Sequence, residues 1–214
     1  MNKSKKVIFS LLGIIIGVMA LIGIAYYSFF YPKTSVKSIN SDITLNDKSL
    51  LKKFIPNDLK FSLKEIDVKS NTYFTEDEIT DLLIVTIDQN PKLKELIQGL
   101  KVKIENENIN VYSHIKYKGI PIEAKLNFTA ESKDGKGILH YKKGKIGFMS
   151  IPKETIFSDL EDTPILKFHK SKGDILLSFE ELQGLKIKVT KITTENKKIN
   201  ITFEGKMNLF NRLK

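Results

Sequence analysis

Hydrophobic and polar residues alternate along this chain in two regimes. From Val7 to Phe30 the sequence VIFSLLGIIIGVMALIGIAYYSFF contains no charged residue. As a helix rising about 1.5 Å per residue it reaches roughly 36 Å, enough to cross a hydrocarbon core of about 30 Å. Gly13, Gly17 and Gly23 would weaken such a helix in water but are tolerated in a bilayer, where unpaired backbone costs more. Tyr26, Tyr27 and Tyr31 fall where an interfacial aromatic belt belongs, and Lys3, Lys5 and Lys6 precede the run, so positive-inside logic places the N-terminus in the cytoplasm. A cleaved signal peptide has a shorter apolar core, about 7–15 residues, ending at a small-x-small site. This run is longer and ends in bulky Tyr and Phe, so retention as an anchor is expected.

After the anchor, residues 32–46 read as a polar connector, and residues 47–54 as a short helix stopped before Pro56, because the residue preceding proline is pushed out of helical geometry. From Leu59 to Phe74 apolar residues alternate with Lys and acid, which predicts a strand or a bent pair. Thr75 with Glu78 forms a capping box, and Ile79, Leu82, Leu83, Thr86 and Ile87 follow on one helical face. Pro91 interrupts that helix, after which Leu93, Leu96 and Ile97 resume the pattern up to Gly99, the expected C-terminal stop.

Beyond Gly99 the period changes from about 3.6 to 2, the mark of half-buried strands. Val102 and Ile104 alternate with Lys101 and Lys103. A turn at residues 106–108 leads to Ile109, Val111, Ser113, Ile115 and Tyr117; after the Gly119–Pro121 break come Ile122, Ala124, Leu126, Phe128 and Ala130. The Asp134-Gly135 turn precedes a strand over residues 138–148, bulged or kinked between Lys142 and Gly147. Connections this short allow only an antiparallel meander. Pro152 opens a short helix with Ile156, Phe157 and Leu160 on its apolar side. Brief strands at 165–168 and 175–179 and a hairpin over 185–204 close the domain. The division is cytoplasmic N-terminus and anchor 1–31, linker 32–46, extracytoplasmic domain 47–207 and tail 208–214. The fold class is α+β: an N-terminal transmembrane helix, then a long-stranded antiparallel meander sheet packed on one or two helices.

Composition narrows the function classes. The chain has 214 residues and a formal net charge of +10, supplied by Lys with Arg212 as its single arginine. Nucleic-acid readers lean on Arg for bidentate contacts, so no nucleic-acid partner is expected, and a Lys-rich exterior fits a solvated or anion-facing surface. Cysteine is absent, which removes disulfides, thiol catalysis and cysteine-ligated zinc. His114, His140 and His169 stand on separate segments without metal-ligand spacing, and no Gly-x-Ser-x-Gly, Ser-x-x-Lys or P-loop pattern occurs. Catalytic, cofactor-binding and metal residues are therefore expected to be none, with no cofactor. The Ile79–Ile97 helix carries more apolar surface than one stripe needs. Against the meander it predicts an apolar groove lined by Ile79, Leu82, Leu83, Val111, Ile122, Leu126 and Phe128.

The anchor, the capped helix start at Thr75, the meander from Leu100 to Ala130 and the passage Lys145-Ile-Gly-Phe-Met-Ser-Ile-Pro152 together resemble the YpmS (DUF2140) family of single-pass envelope proteins of Firmicutes. The resemblance implies an extracytoplasmic domain and carries over no catalytic residue. Three functions are weighed. The first is a non-enzymatic membrane-anchored envelope protein binding lipid or a lipid-linked polymer in the groove. The alternative is a scaffold of an envelope or sporulation complex with a protein partner at a strand edge. A hydrolase with dispersed residues, His140 among them, is the third.

Overall fold

The structure is a computed structural model that describes residues 3–43, 58–61, 65–162, 166–177 and 186–208. Helix α1 (Lys3–Phe29) leads to strand β1 (Lys37–Ser38). Strands β2 (Asp58–Phe61) and β3 (Glu65–Thr75) precede helices α2 (Glu76–Asp88) and α3 (Pro91–Leu96). The meander follows as β4 (Ile97–Glu105), β5 (Asn108–Tyr117), β6 (Ile120–Lys133) and β7 (Lys136–Ile146), then β8 (Met149–Ile151) and helix α4 (Lys153–Phe157). Strands β9 (Leu166–His169), β10 (Asp174–Leu177), β11 (Lys186–Glu195) and β12 (Lys198–Asn208) complete it. The expected short helix at 47–54 lies outside the described residues, as does the tail beyond Asn208, which itself ends β12.

The α+β class holds, with an N-terminal apolar helix and an antiparallel meander packed on short helices. Two sheets form where one was expected. The larger runs β1-β4-β5-β6-β7-β10-β9, with β8 also on β7; the smaller runs β11-β12-β3-β2. The closing hairpin pairs with β3 along its whole length, from Lys198 opposite Thr75 to Asn208 opposite Glu65, instead of extending the meander. Each sheet has one apolar face, and two such faces are buried most completely against each other. The core accordingly joins Val102, Ile104, Ile109 and Phe128 of the large sheet to Phe74, Val189, Ile192, Ile199, Ile201 and Phe203 of the small one. Phe157 of α4 is fully buried in the same cluster.

Helix α2 starts as its sequence dictates. The Glu78 N–H donates to Thr75 Oγ1 at 3.2 Å, and the Thr75 N–H donates to the Glu78 carboxylate at 2.9 Å. It ends at Asp88, and α3 is a separate turn capped by Asn90. The helical pattern does not run to Gly99: Ile97 and Gly99 already belong to β4. A Cβ at Gly99 would stand 2.7 Å from the Lys37 carbonyl oxygen, so this glycine serves the close approach of β1 rather than a helix stop. Past β1, the edge of β4 is satisfied by α2 itself. The Val102 N–H donates to Thr80 Oγ1 at 2.9 Å and the Ile104 N–H to Glu76 Oε1 at 2.7 Å. An edge covered in this way is closed to further strand pairing there.

The stretch expected as a polar connector is bound to the domain over its described part. The Lys33 and Thr34 N–H groups donate to the Glu123 carboxylate, Lys37 and Ser38 pair with β4, and Ile39 is buried. The end of α1 is held as well. The Tyr26 hydroxyl donates to the Pro121 carbonyl at 2.7 Å, and the Glu123 N–H donates to the Phe30 carbonyl at 2.9 Å. β7 pairs with β6 only as far as Ile146 opposite Ala124, so Phe30 takes over as partner of β6 where β7 leaves it.

Candidate functional site

Six of the seven residues expected to line a groove pack against or within the core, and Ile122 lies outside it. Ile79, Leu82, Leu83, Val111 and Leu126 are half-buried against the main core, and Phe128 is part of it. Leu83 and Val111 also touch a small second cluster of Ile39, Ile84 and Leu100. Ile122 is half-buried opposite Ile115. Two clefts stand out among the described residues, and none of the seven lines either. One, of about 360 Å³, lies between α2 and the segment Ile39 to Ile43; its lysine, Lys94, is already paired with Asp88.

The second cleft, of about 450 Å³, is lined by Tyr141, Gly144, Ser150, Ile151, Pro152 and five lysines: Lys142, Lys143, Lys145, Lys153 and Lys172. Its origin is topological. On one edge of β7, β10 pairs with Gly137 to His140 and β8 pairs with Gly144 to Ile146, leaving a notch between them. The register with β6 slips in the notch, Asn127 facing Lys143 while Phe128 faces Tyr141, so Lys142 is an extra, bulged residue. Tyr141 turns inward onto Phe128 and Phe157, edge to face, and its hydroxyl donates to the Ile151 carbonyl. Burial, with the Glu154 charge adding to it, pushes the Tyr141 phenol above its ordinary pKa, so it stays a donor.

The cleft continues onto the outer face of the large sheet. Because Val102, Val111, Leu126 and Gly144 face inward, their neighbours face out and the ladder aligns them in rows. One row is Lys101, Tyr112, Lys125 and Lys145; the next is Lys103, Asn110, Asn127 and Lys143. Lys103 and Lys125 place their ammonium groups 5.5 and 5.0 Å from the centre of the Tyr112 ring. Asn127, on the polar half of its strand, is nonetheless buried and donates to the side-chain oxygens of Asn110 and Asn108 at 3.1 and 3.2 Å. Face and cleft together carry eight lysines: 101, 103, 125, 142, 143, 145, 153 and 172. None of them is in an ion pair among the described residues. Lys125 and Lys145 stand directly opposite each other, an arrangement that is destabilising without a counter-anion.

A row further from α1, the ladder brings His140 between two carboxylates. His140 Nδ1 is 2.7 Å from Asp174 Oδ1, and His140 Nε2 is 3.0 Å from Glu131 Oε1. Partial burial lowers the imidazole pKa, but the hydrogen bonds and charges of Asp174 and Glu131 outweigh it, and the net direction is upward. His114 lies 3.6 Å from the Glu123 carboxylate, and His169 is exposed on β9 opposite Asp174. Among the described residues no group of three His, Cys, Asp or Glu is arranged to hold a metal ion.

The lysine face escapes sequence reasoning because it is the polar half of four strands whose register is a tertiary property. Its signal was present only as Lys at alternate positions, 101 and 103, then 143 and 145. The fold and this face define an α+β domain of two antiparallel sheets joined to one N-terminal helix. From Phe9 to Phe29, 21 residues with none of that stretch buried, the helix is long and apolar enough to cross a bilayer. No protein-family model, curated protein or solved structure matches the chain.

Proposed function

We propose that this chain is a single-pass envelope protein, N-terminus in the cytoplasm, whose extracytoplasmic domain lies against the bilayer and binds anionic lipid headgroups or phosphate-bearing, lipid-linked polymer. It acts by binding and catalyses no reaction. The observation that carries the reading is the lysine face itself: opposed, unpaired cations beginning close to the end of α1. Lys125 is four residues along β6 from Pro121, or about 14 Å at roughly 3.4 Å per residue. Each lysine held near an anionic surface contributes about 1 kcal/mol of attraction. Retention of α1 is supported by the seating of its end on the domain, through hydrogen bonds to Pro121 and Glu123 of β6 and the packing of Phe29 and Phe30 on Phe148. Membership of the YpmS family belongs to this proposal and rests on the order of anchor, capped helix, meander and strand-to-helix passage.

The test uses full-length protein in phosphatidylcholine nanodiscs, titrated with poly(glycerol phosphate). Binding should weaken with added salt and fall roughly tenfold or more in a Lys103→Glu, Lys125→Glu, Lys145→Glu variant that melts as a folded protein. Equal affinity in wild type and variant would contradict the reading and return the scaffold function to first place.

A further inference from the structure

Beyond residue 31, the large apolar side chains exposed among the described residues with resolved burial are Tyr73, Leu96, Tyr117, Ile120, Phe148 and Met149. Four of these six sit on two hairpin tips. Tyr117 and Ile120 flank the Lys118-Gly119 turn between β5 and β6, and Phe148 and Met149 lie in and after the turn between β7 and β8. Scattered exposed apolar residues are ordinary, but their segregation to one end of a sheet marks a contact surface.

Both tips touch the end of α1. Pro121, next to Ile120, accepts the Tyr26 hydroxyl hydrogen bond. The Phe148 ring lies edge-on to Phe29 and Phe30, with centroids 5.8 and 5.3 Å away. Gly147, at φ +60°, makes that approach possible, because a Cβ there would stand 2.8 Å from the Phe30 ring. Phe29 is the last residue of the helical span. Phe148, which those contacts place beside the end of that span, is 67% exposed, the most of the six. Tyr26 is three residues further in, about 4.5 Å along the helix.

Charge agrees with the position. Residues 115–122 and 145–150 contain Lys116, Lys118 and Lys145 and no Asp or Glu. The Lys118 ammonium group is 5.6 Å from the centre of the Tyr117 ring. Apolar and aromatic tips ringed by lysine match an interface where acyl chains give way to anionic headgroups.

We infer that the two hairpin tips are immersed in the bilayer leaflet that receives the C-terminal end of α1, so that three points fix the domain's orientation and turn its lysine face to the headgroups. The inference rests on α1 crossing the membrane. It replaces a domain free on a tether with one held in a single pose.

The chain has no cysteine, so single spin labels can be placed without background. Full-length protein in nanodiscs of phosphatidylcholine with phosphatidylglycerol would be labelled at Ile16→Cys in the anchor, at Tyr117→Cys and Met149→Cys on the tips, and at Lys197→Cys in the turn between β11 and β12. Collision with oxygen against a water-soluble nickel chelate reports immersion. The labels at 16, 117 and 149 should favour oxygen and that at 197 nickel. Adding Ile120→Glu with Phe148→Glu should move the tip labels into water and leave position 16 unchanged. Nickel access at 117 and 149 with position 16 in lipid overturns the inference, as do tip labels indifferent to the added charges. Tips shielded from both reagents overturn it too, in favour of a protein contact. Nickel access at position 16 instead removes the membrane reading beneath it.

Discussion

The hydroxyl oxygen of Thr80 accepts the backbone N–H of Val102 at 2.9 Å and donates to the Glu76 carbonyl at 2.7 Å. Thr80 is 3% exposed and Val102 wholly buried, so no water can replace this acceptor. A helix side chain thereby completes the ladder of a sheet edge that no strand among the described residues covers at this point.

Thr80→Val keeps the shape of the side chain and orphans the Val102 N–H. Leaving a buried donor unpaired costs about 1–3 kcal/mol. The urea midpoint should fall accordingly, and Thr80→Ser should recover most of the loss. An unchanged midpoint for Thr80→Val would mean that α2 does not satisfy this edge.

Lys125 and Lys145 face each other across β6 and β7, both exposed. Lys145→Glu turns that pair into an attractive one and should raise stability at low salt by about 0.2–1 kcal/mol while weakening polyanion binding. Opposite signs for the two effects are the signature of a surface shaped for a ligand. Thermal melts at two ionic strengths check it: the gain should shrink as salt is added.

His140 supplies a pH dependence. Its pKa is raised above 6.5 in the fold, because Asp174 and Glu131 together overcome its partial burial. A raised pKa means that protonation favours the folded state. That contribution is complete below the unfolded value near 6.5 and is lost as pH rises through the folded one. Asp174→Asn should lower the His140 pKa measured by NMR and flatten the fall in melting temperature as pH rises from the unfolded value near 6.5. An imidazole that titrates at or below 6.5 in the wild type would contradict this.

The features legible in the sequence are those fixed within a few residues. The charge-free run predicts α1, Thr75 and Glu78 predict the capping box, and period-two alternation predicts the burial of Val102, Ile104 and Ile109. Even the bulge near Lys142 follows from a strand too irregular to pair evenly. Pairings between distant segments were not legible. Nothing local distinguishes a closing hairpin that extends the meander from one that pairs with β3. Once it pairs with β3, a second sheet covers the apolar face on which a groove was expected, and Phe128 becomes core. The lysine rows and the contact of His140 with Asp174 arise from the same ladders. Gly99 misled because a glycine after a helical pattern resembles a stop, whereas its missing Cβ serves the approach of β1.

The account depends most on α1 remaining attached and docked, with the Phe30 carbonyl closing the edge of β6 at the Glu123 amide. Residue-resolved hydrogen exchange of that amide, in full-length protein held in nanodiscs, tests it directly. Protection on the scale of the β6 ladder amides is the predicted result. Exchange at the rate of an unstructured amide would show that the helix end is not seated on the sheet, and the placement of the lysine face against the membrane would fall with it.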